Sequence, residues 1–211
     1  MRDDLIDRLV AEADPVRPAT GARFVRLFGL AALISLVIVA VIGIRADLRP
    51  ALTGGLLAAK LLLTGTLACP AIWLLWLSGR PGARVRRGSR LLIPLALAML
   101  TAPLLVAFVR GPGSALEDMA RFDWASACLP LIALATLPLW IASLAWLRVS
   151  APTNPARSAW IAGLASASMG AFLFALHCPF DSLAYVATWY FAAIFALAGL
   201  SRLVIPPLIR W

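Results

Sequence analysis

The chain has 211 residues, of which 62% are hydrophobic and only 14% charged, and it contains no polar stretch long enough to form a separate soluble domain. Its formal net charge of +9 would suggest a nucleic-acid partner in a soluble protein. Here the arginines flank apolar blocks, where they set orientation and meet anionic headgroups, so no direct nucleic-acid contact is expected.

The first 26 residues are polar and read as a cytoplasmic segment, followed by a membrane domain over 27–211. Asp3 to Ala13 reads as one short helix. Asp3 and Asp4 suit its N-terminal dipole, and Leu5, Ile6, Leu9 and Val10 form one apolar stripe opposite Asp7, Arg8 and Glu12. Pro15 and Pro18 end it. A helix of about 11 residues is marginal alone, so something must cover the stripe. The inner leaflet could do so, but five acidic residues before Pro15 oppose adhesion to an anionic surface. A helix-in-groove contact with a soluble protein fits better. The first apolar block starts too late, and is too long, for a cleavable signal peptide, so the N-terminus is expected to stay attached.

Six apolar blocks follow: Leu27 to Ile44, Leu52 to Leu77, Leu91 to Val109, Ala125 to Leu147, Ser158 to Leu176 and Ala184 to Pro206. Each has the roughly 17 to 25 residues that a helix needs to cross a hydrocarbon core. Helices satisfy their own backbone in lipid, and the blocks lack the alternation of barrel strands. The expected fold is therefore all-α, a polytopic bundle of six transmembrane helices with a short cytoplasmic N-terminal helix. Lys and Arg outside the blocks divide 14 against 4 between alternate sides. The richer side comprises the N-terminal segment, the second and fourth connections and the C-terminus, which places both termini in the cytoplasm. Ser35 and Gly43 in the first block, and Gly163, Ser166, Ser168 and Gly170 in the fifth, read as helix-packing positions.

Lys60, the chain's only lysine, lies inside the second block, where a charge costs about 2.5 to 3.5 kcal/mol on insertion scales. Two readings stand. The ammonium snorkels towards the outer end, or it faces inwards to a carbonyl, to a hydroxyl such as Thr101, or to Asp123 or Asp181. Of the three cysteines, Cys69 sits before Pro70 in the inner half of the second block and reads as structural. Cys128, at the outer start of the fourth block, and Cys178, in the connection after the fifth, should share the periplasmic side. Two thiols there could form a disulfide or a soft-metal site, with His177 and Asp181 as further candidate ligands. They could equally be small buried hydrophobes. No nucleophile with a base, glycine-rich phosphate loop or multi-histidine cluster is present, so neither an enzyme nor a resident cofactor is expected, beyond transient soft-metal binding.

Several segments together resemble the NrsF-type inner-membrane anti-sigma factors, a six-helix family formerly known as a domain of unknown function. They are Leu5-Ile6-Asp7-Arg8-Leu9 with Pro15-Val16-Arg17, Lys60, Cys128, the run from Leu176 through His177, Cys178, Pro179, Phe180 and Asp181 to Ser182, and Trp189-Tyr190. The resemblance spans the whole length. It implies a partner, an extracytoplasmic-function sigma factor of the sigma-F kind, held at the inner membrane and released on metal or oxidative stress. It makes Cys128 and Cys178 the sensor pair and the stripe Leu5, Ile6, Leu9 and Val10 part of the sigma contact. The competing reading is a small transporter or channel with Lys60 in its pathway and the outer cysteines structural.

Overall fold

The computed structural model describes residues 20–80 and 85–209, without the side chains of Arg86 and Arg87. The expected N-terminal helix and its stripe Leu5, Ile6, Leu9 and Val10 lie outside these residues. The described chain is helical. In order come α1 (Gly21–Ile42), α2 (Leu48–Thr53), α3 (Leu56–Ser78), α4 (Val85–Arg110), α5 (Pro112–Met119), α6 (Phe122–Ser150), α7 (Pro155–Phe174) and α8 (Leu183–Leu208). The last helix is not uniform, because Val186–Tyr190 forms a π turn between two α-helical stretches. Local chemistry marks the ends. Thr20 caps α1 by accepting from the Arg23 amide, and Gly43, with φ of +120°, takes a backbone conformation that disfavours side chains just beyond it. Asn154 accepts from the Arg157 amide at 2.9 Å, with Pro155 opening α7.

Five helices are long and apolar enough to cross a membrane: Gly21–Ile42, Leu56–Ser78, Gly88–Arg110, Phe122–Ser150 and Leu183–Leu208. The expected count of six is met only if α7 is added. Its 20 residues carry Arg157, Ser158, Ser166 and Ser168, which hold its hydropathy below that of the other five. Those same small residues make α7 the centre of the bundle. A Cβ on Gly163 would stand 2.6 Å from the Ala198 Cα on α8, and one on Gly170 would stand 2.9 Å from the Thr136 Cα on α6. Such separations admit no side chain, so α7 meets both neighbours backbone to backbone, as helices do where lipid supplies no hydrophobic drive between them. Ser143 and Ser166 join α6 to α7 by a hydrogen bond of 2.9 Å, and the Trp140 indole donates to Ser201 at 2.8 Å. Outward, α1, α4, α6 and α8 present Leu33, Val37, Leu105, Val109, Leu137, Ile141, Leu200 and Leu203, an exposed apolar surface suited to lipid.

The connections gather at opposite ends. At one end the stretches 43–55, 111–121 and 175–182 meet: the Trp189 indole donates to the Met119 carbonyl, and the Arg121 guanidinium lies over the Phe180 ring. At the other, Gly79 packs on Trp146, Arg148 donates to the Leu208 carbonyl, and Arg23, Arg26, Arg80, Arg90 and Arg202 are exposed. The first is called the thiol end below, the second the basic end.

Candidate functional site at the thiol end

Lys60 enters this site from α3 and is 1% exposed. Its ammonium donates to the Cys178 carbonyl at 3.0 Å, pairs with the Asp181 carboxylate at 3.1 Å and lies 5.2 Å from the centre of the Tyr190 ring. The inward-facing reading is thus the correct one, with a carbonyl and Asp181 as the partners. Thr101 instead bonds its own helix at the Leu97 carbonyl and is exposed. Snorkelling is ruled out because the charge is satisfied inside the bundle.

Asp181 serves a second cation. Arg45, just past α1, is 8% exposed and reaches both Asp181 oxygens at 2.8 Å, the Cys178 carbonyl at 3.3 Å and the Pro179 carbonyl at 3.5 Å. Its other edge makes a bidentate pair with Asp47, both contacts at 2.7 Å. The Arg45 amide donates to the Leu176 carbonyl at 3.1 Å, and His177 Nδ1 bonds the Gly43 carbonyl. The stretch following α1 is therefore clasped to the loop that carries Cys178. The hydrogen bonds and charges of Asp47 and Asp181 outweigh the effect of burial and keep Arg45 charged. The hydrogen bond from Arg45 in turn lowers the Asp47 pKa against a smaller opposing effect of burial. This arm is fully formed above the ordinary carboxylate range and is lost as pH falls through the lowered Asp47 pKa.

The two thiols meet. Cys128 of α6 is 7% exposed and Cys178 is 1% exposed, both are free, and they stand within hydrogen-bonding reach of each other. Around them α8 places Tyr185 beside Cys128 and Tyr190 beside Cys178. The hydrogen bond from Cys128 lowers the Cys178 pKa; burial opposes it, and the Lys60 charge and the Tyr190 hydroxyl add to it. Cys178 also donates to the Phe180 carbonyl at 4.0 Å, and its own carbonyl is the one Lys60 bonds. His177 and Asp181 each have partners of their own. The imidazole is bonded to Gly43 and the carboxylate is held by two cations, and among the described residues no three His, Cys, Asp or Glu side chains are grouped to hold an ion. Cys69 lies apart, exposed on α3 next to Pro70.

The arrangement offers a buried, polarised thiol pair braced by an ion cluster. Among the described residues it offers no nucleophile and base set around a substrate cavity. Residues 9–211 match the family described as negative regulator of sigma F, NrsF. The chain belongs to this family. With 99% of both sequences covered, it is 32% identical to the anti-sigma-F factor NrsF of Caulobacter vibrioides (strain NA1000 / CB15N). With the same coverage, it is 27% identical to the probable anti-sigma-F factor NrsF of Azospira oryzae (strain ATCC BAA-33 / DSM 13638 / PS). No solved structure matches it. Membership in the NrsF family makes this a regulatory protein and not an enzyme.

The sequence pointed to Cys128, Cys178 and Lys60 but not to Arg45, which counted there only as one of the few arginines on the sparse side. Its position immediately after the first apolar block, with Asp47 two residues on, was the available signal. Tyr190 was part of the family resemblance without a role, and Tyr185 carried no signal at all.

Proposed function

We propose that this protein is an inner-membrane anti-sigma factor that holds a sigma-F-like extracytoplasmic-function sigma factor at the cytoplasmic face and releases it when thiol-reactive or oxidising stress reaches the Cys128 and Cys178 pair. The observation that carries the reading is the family match over nearly the whole chain, together with the convergence of both cysteines at one end of the bundle. The arginine asymmetry supports an orientation in which the basic end and both termini are cytoplasmic, the thiol end is periplasmic, and α7 is the sixth pass. The sigma contact falls to the stripe Leu5, Ile6, Leu9 and Val10, ahead of α1. Because Arg45 and Gly43 tie the far end of α1 to the Cys178 loop, a change at the thiols has a rigid helix through which to reach the inner face. A switch from 1:99 to 99:1 needs about 5.5 kcal/mol of differential binding, within the range of covalent thiol chemistry. Lys60, the pathway residue of a transporter reading, is closed in by Asp181, the Cys178 carbonyl and Tyr190.

The test uses the full chain in its native membrane. Replacing Leu5 and Leu9 with Ala should remove about 1 to 3 kcal/mol of burial per side chain, free the sigma factor from the membrane fraction and raise target transcription without stress. The Cys128→Ser, Cys178→Ser double variant should keep the sigma factor bound and fail to respond. Retention of the sigma factor by the Leu variant at normal membrane levels removes the N-terminal contact. A normal stress response from the double Ser variant removes the sensor.

A further inference from the structure

The two tyrosines of α8 present a problem that the ion cluster does not solve. Tyr185 and Tyr190 are both 0% exposed, and neither hydroxyl has a nitrogen or oxygen partner. A buried hydroxyl without a partner is a standing cost, and native folds seldom carry two side by side. The polar neighbour each one has is sulfur: Cys128 for Tyr185 and Cys178 for Tyr190. A neutral thiol is a weak acceptor, whereas a thiolate is a strong one. The hydroxyls are thus placed to be satisfied by the deprotonated form.

Their common direction is not a product of ordinary helical spacing. Residues five apart on an α-helix point roughly 140° away from one another, so Tyr185 and Tyr190 would face different neighbours. The π turn Val186–Tyr190 widens the helix at this point and realigns i with i+5. The turn, Val-Ala-Thr-Trp-Tyr, has neither proline nor glycine to cause it; within it the Trp189 indole donates to the Met119 carbonyl and the Thr188 hydroxyl is buried.

Building on the thiol pair as the sensor, we infer that Tyr185 and Tyr190 are its positioning residues, that the π turn exists to aim both hydroxyls at sulfur, and that they make Cys178 the nucleophile towards thiophilic electrophiles. Lys60 from α3 contributes the neighbouring positive charge. Of the other charged or titratable groups at this end, Asp123 lies on α6, and Arg45, His177 and Asp181 in the adjoining connections are engaged with one another, with Lys60 or with Gly43; Asp47 pairs with Arg45 and Asp118 with Arg121, and Arg49, Arg110 and Glu117 complete the set.

The experiment uses the full chain with Cys69→Ser, purified in lipid nanodiscs, and methyl methanethiosulfonate as the probe. The Cys178 sulfur attacks the probe's sulfenyl sulfur, a mixed methyl disulfide forms, and methanesulfinate leaves with the bonding pair. Site-resolved mass spectrometry against pH should show Cys178 modified before Cys128. Tyr190→Phe removes one oxygen without opening access. It should slow Cys178 roughly tenfold at neutral pH and raise its midpoint by about one pH unit, the equivalent thiolate loss. The same shift should persist in a Cys128→Ser background, and Tyr185→Phe should change the order or spacing of the two reactions. Cys128 reacting first, or Tyr190→Phe with wild-type melting and an unchanged Cys178 profile, overturns the inference. If the tyrosines govern the profile but the double Ser variant still responds normally in cells, the thiol chemistry stands and the sensor reading falls.

Discussion

The two ends of the bundle handle charge in opposite ways. At the thiol end, Arg45 and Lys60 are almost completely enclosed and are neutralised by one shared carboxylate, Asp181, with Asp47 completing the arginine's other edge. At the basic end, Arg23, Arg26, Arg80, Arg90 and Arg202 are exposed, and the contacts inside are aromatic and apolar: Phe24 against Trp146, and the Trp146 indole donating to the Leu75 carbonyl. Enclosed charges tolerate few arrangements, because each must keep its partner in low dielectric. Exposed ones tolerate many. The thiol end is therefore the end at which a small chemical change can select between discrete states.

The sharpest way to break this contrast is Asp181→Ala. It leaves the buried Lys60 without a carboxylate and Arg45 with Asp47 alone, and should cost about 3 to 5 kcal/mol, read as a drop in the thermal midpoint of the chain in nanodiscs. Lys60→Met, which removes a charge while leaving Asp181 paired with Arg45, should be milder. If the two are equally harmful, the cluster is not held together by charge balance.

Between the ends, Gly170→Ala should force α6 and α7 apart and cost about 1 to 3 kcal/mol, because the new methyl would meet Thr136 backbone atoms. Gly29→Ala makes the control. Nothing lies within 4 Å of a Cβ there, so helix propensity alone should leave that variant as stable as the wild type or slightly more so. Matching losses from both would mean that the close approach at α7 is not what limits the bundle.

The smallest effect is expected at the basic end. Arg80 stacks on the Trp76 ring at 3.7 Å and is exposed, so Arg80→Gln should cost only about 0.5 to 1 kcal/mol in melting experiments. A loss comparable to that of Asp181→Ala would abolish the distinction between the two ends.

The sequence alone determined what depends on length, apolarity and net charge distribution. Blocks of membrane length became α1, α3, α4, α6, α7 and α8, and the glycines and serines of α7 marked it as a packing helix, because close backbone approach demands small residues wherever it occurs. The inward cost of Lys60 announced a partner for the same reason: a charge in that setting cannot be left alone. What the sequence overstated was the uniformity of the six blocks, since hydropathy separates α7 from the other five.

Only the tertiary structure decided which carboxylate Lys60 would take, that Arg45 would cross to the Cys178 loop, and that Tyr185 and Tyr190 would converge on the thiols. Hydrophobic length and charge asymmetry add up along a chain and can be counted there. The pairing of buried polar groups cannot, because it depends on which ends of which helices arrive together and, at the π turn, on a single change in helical pitch that rotates every residue after it.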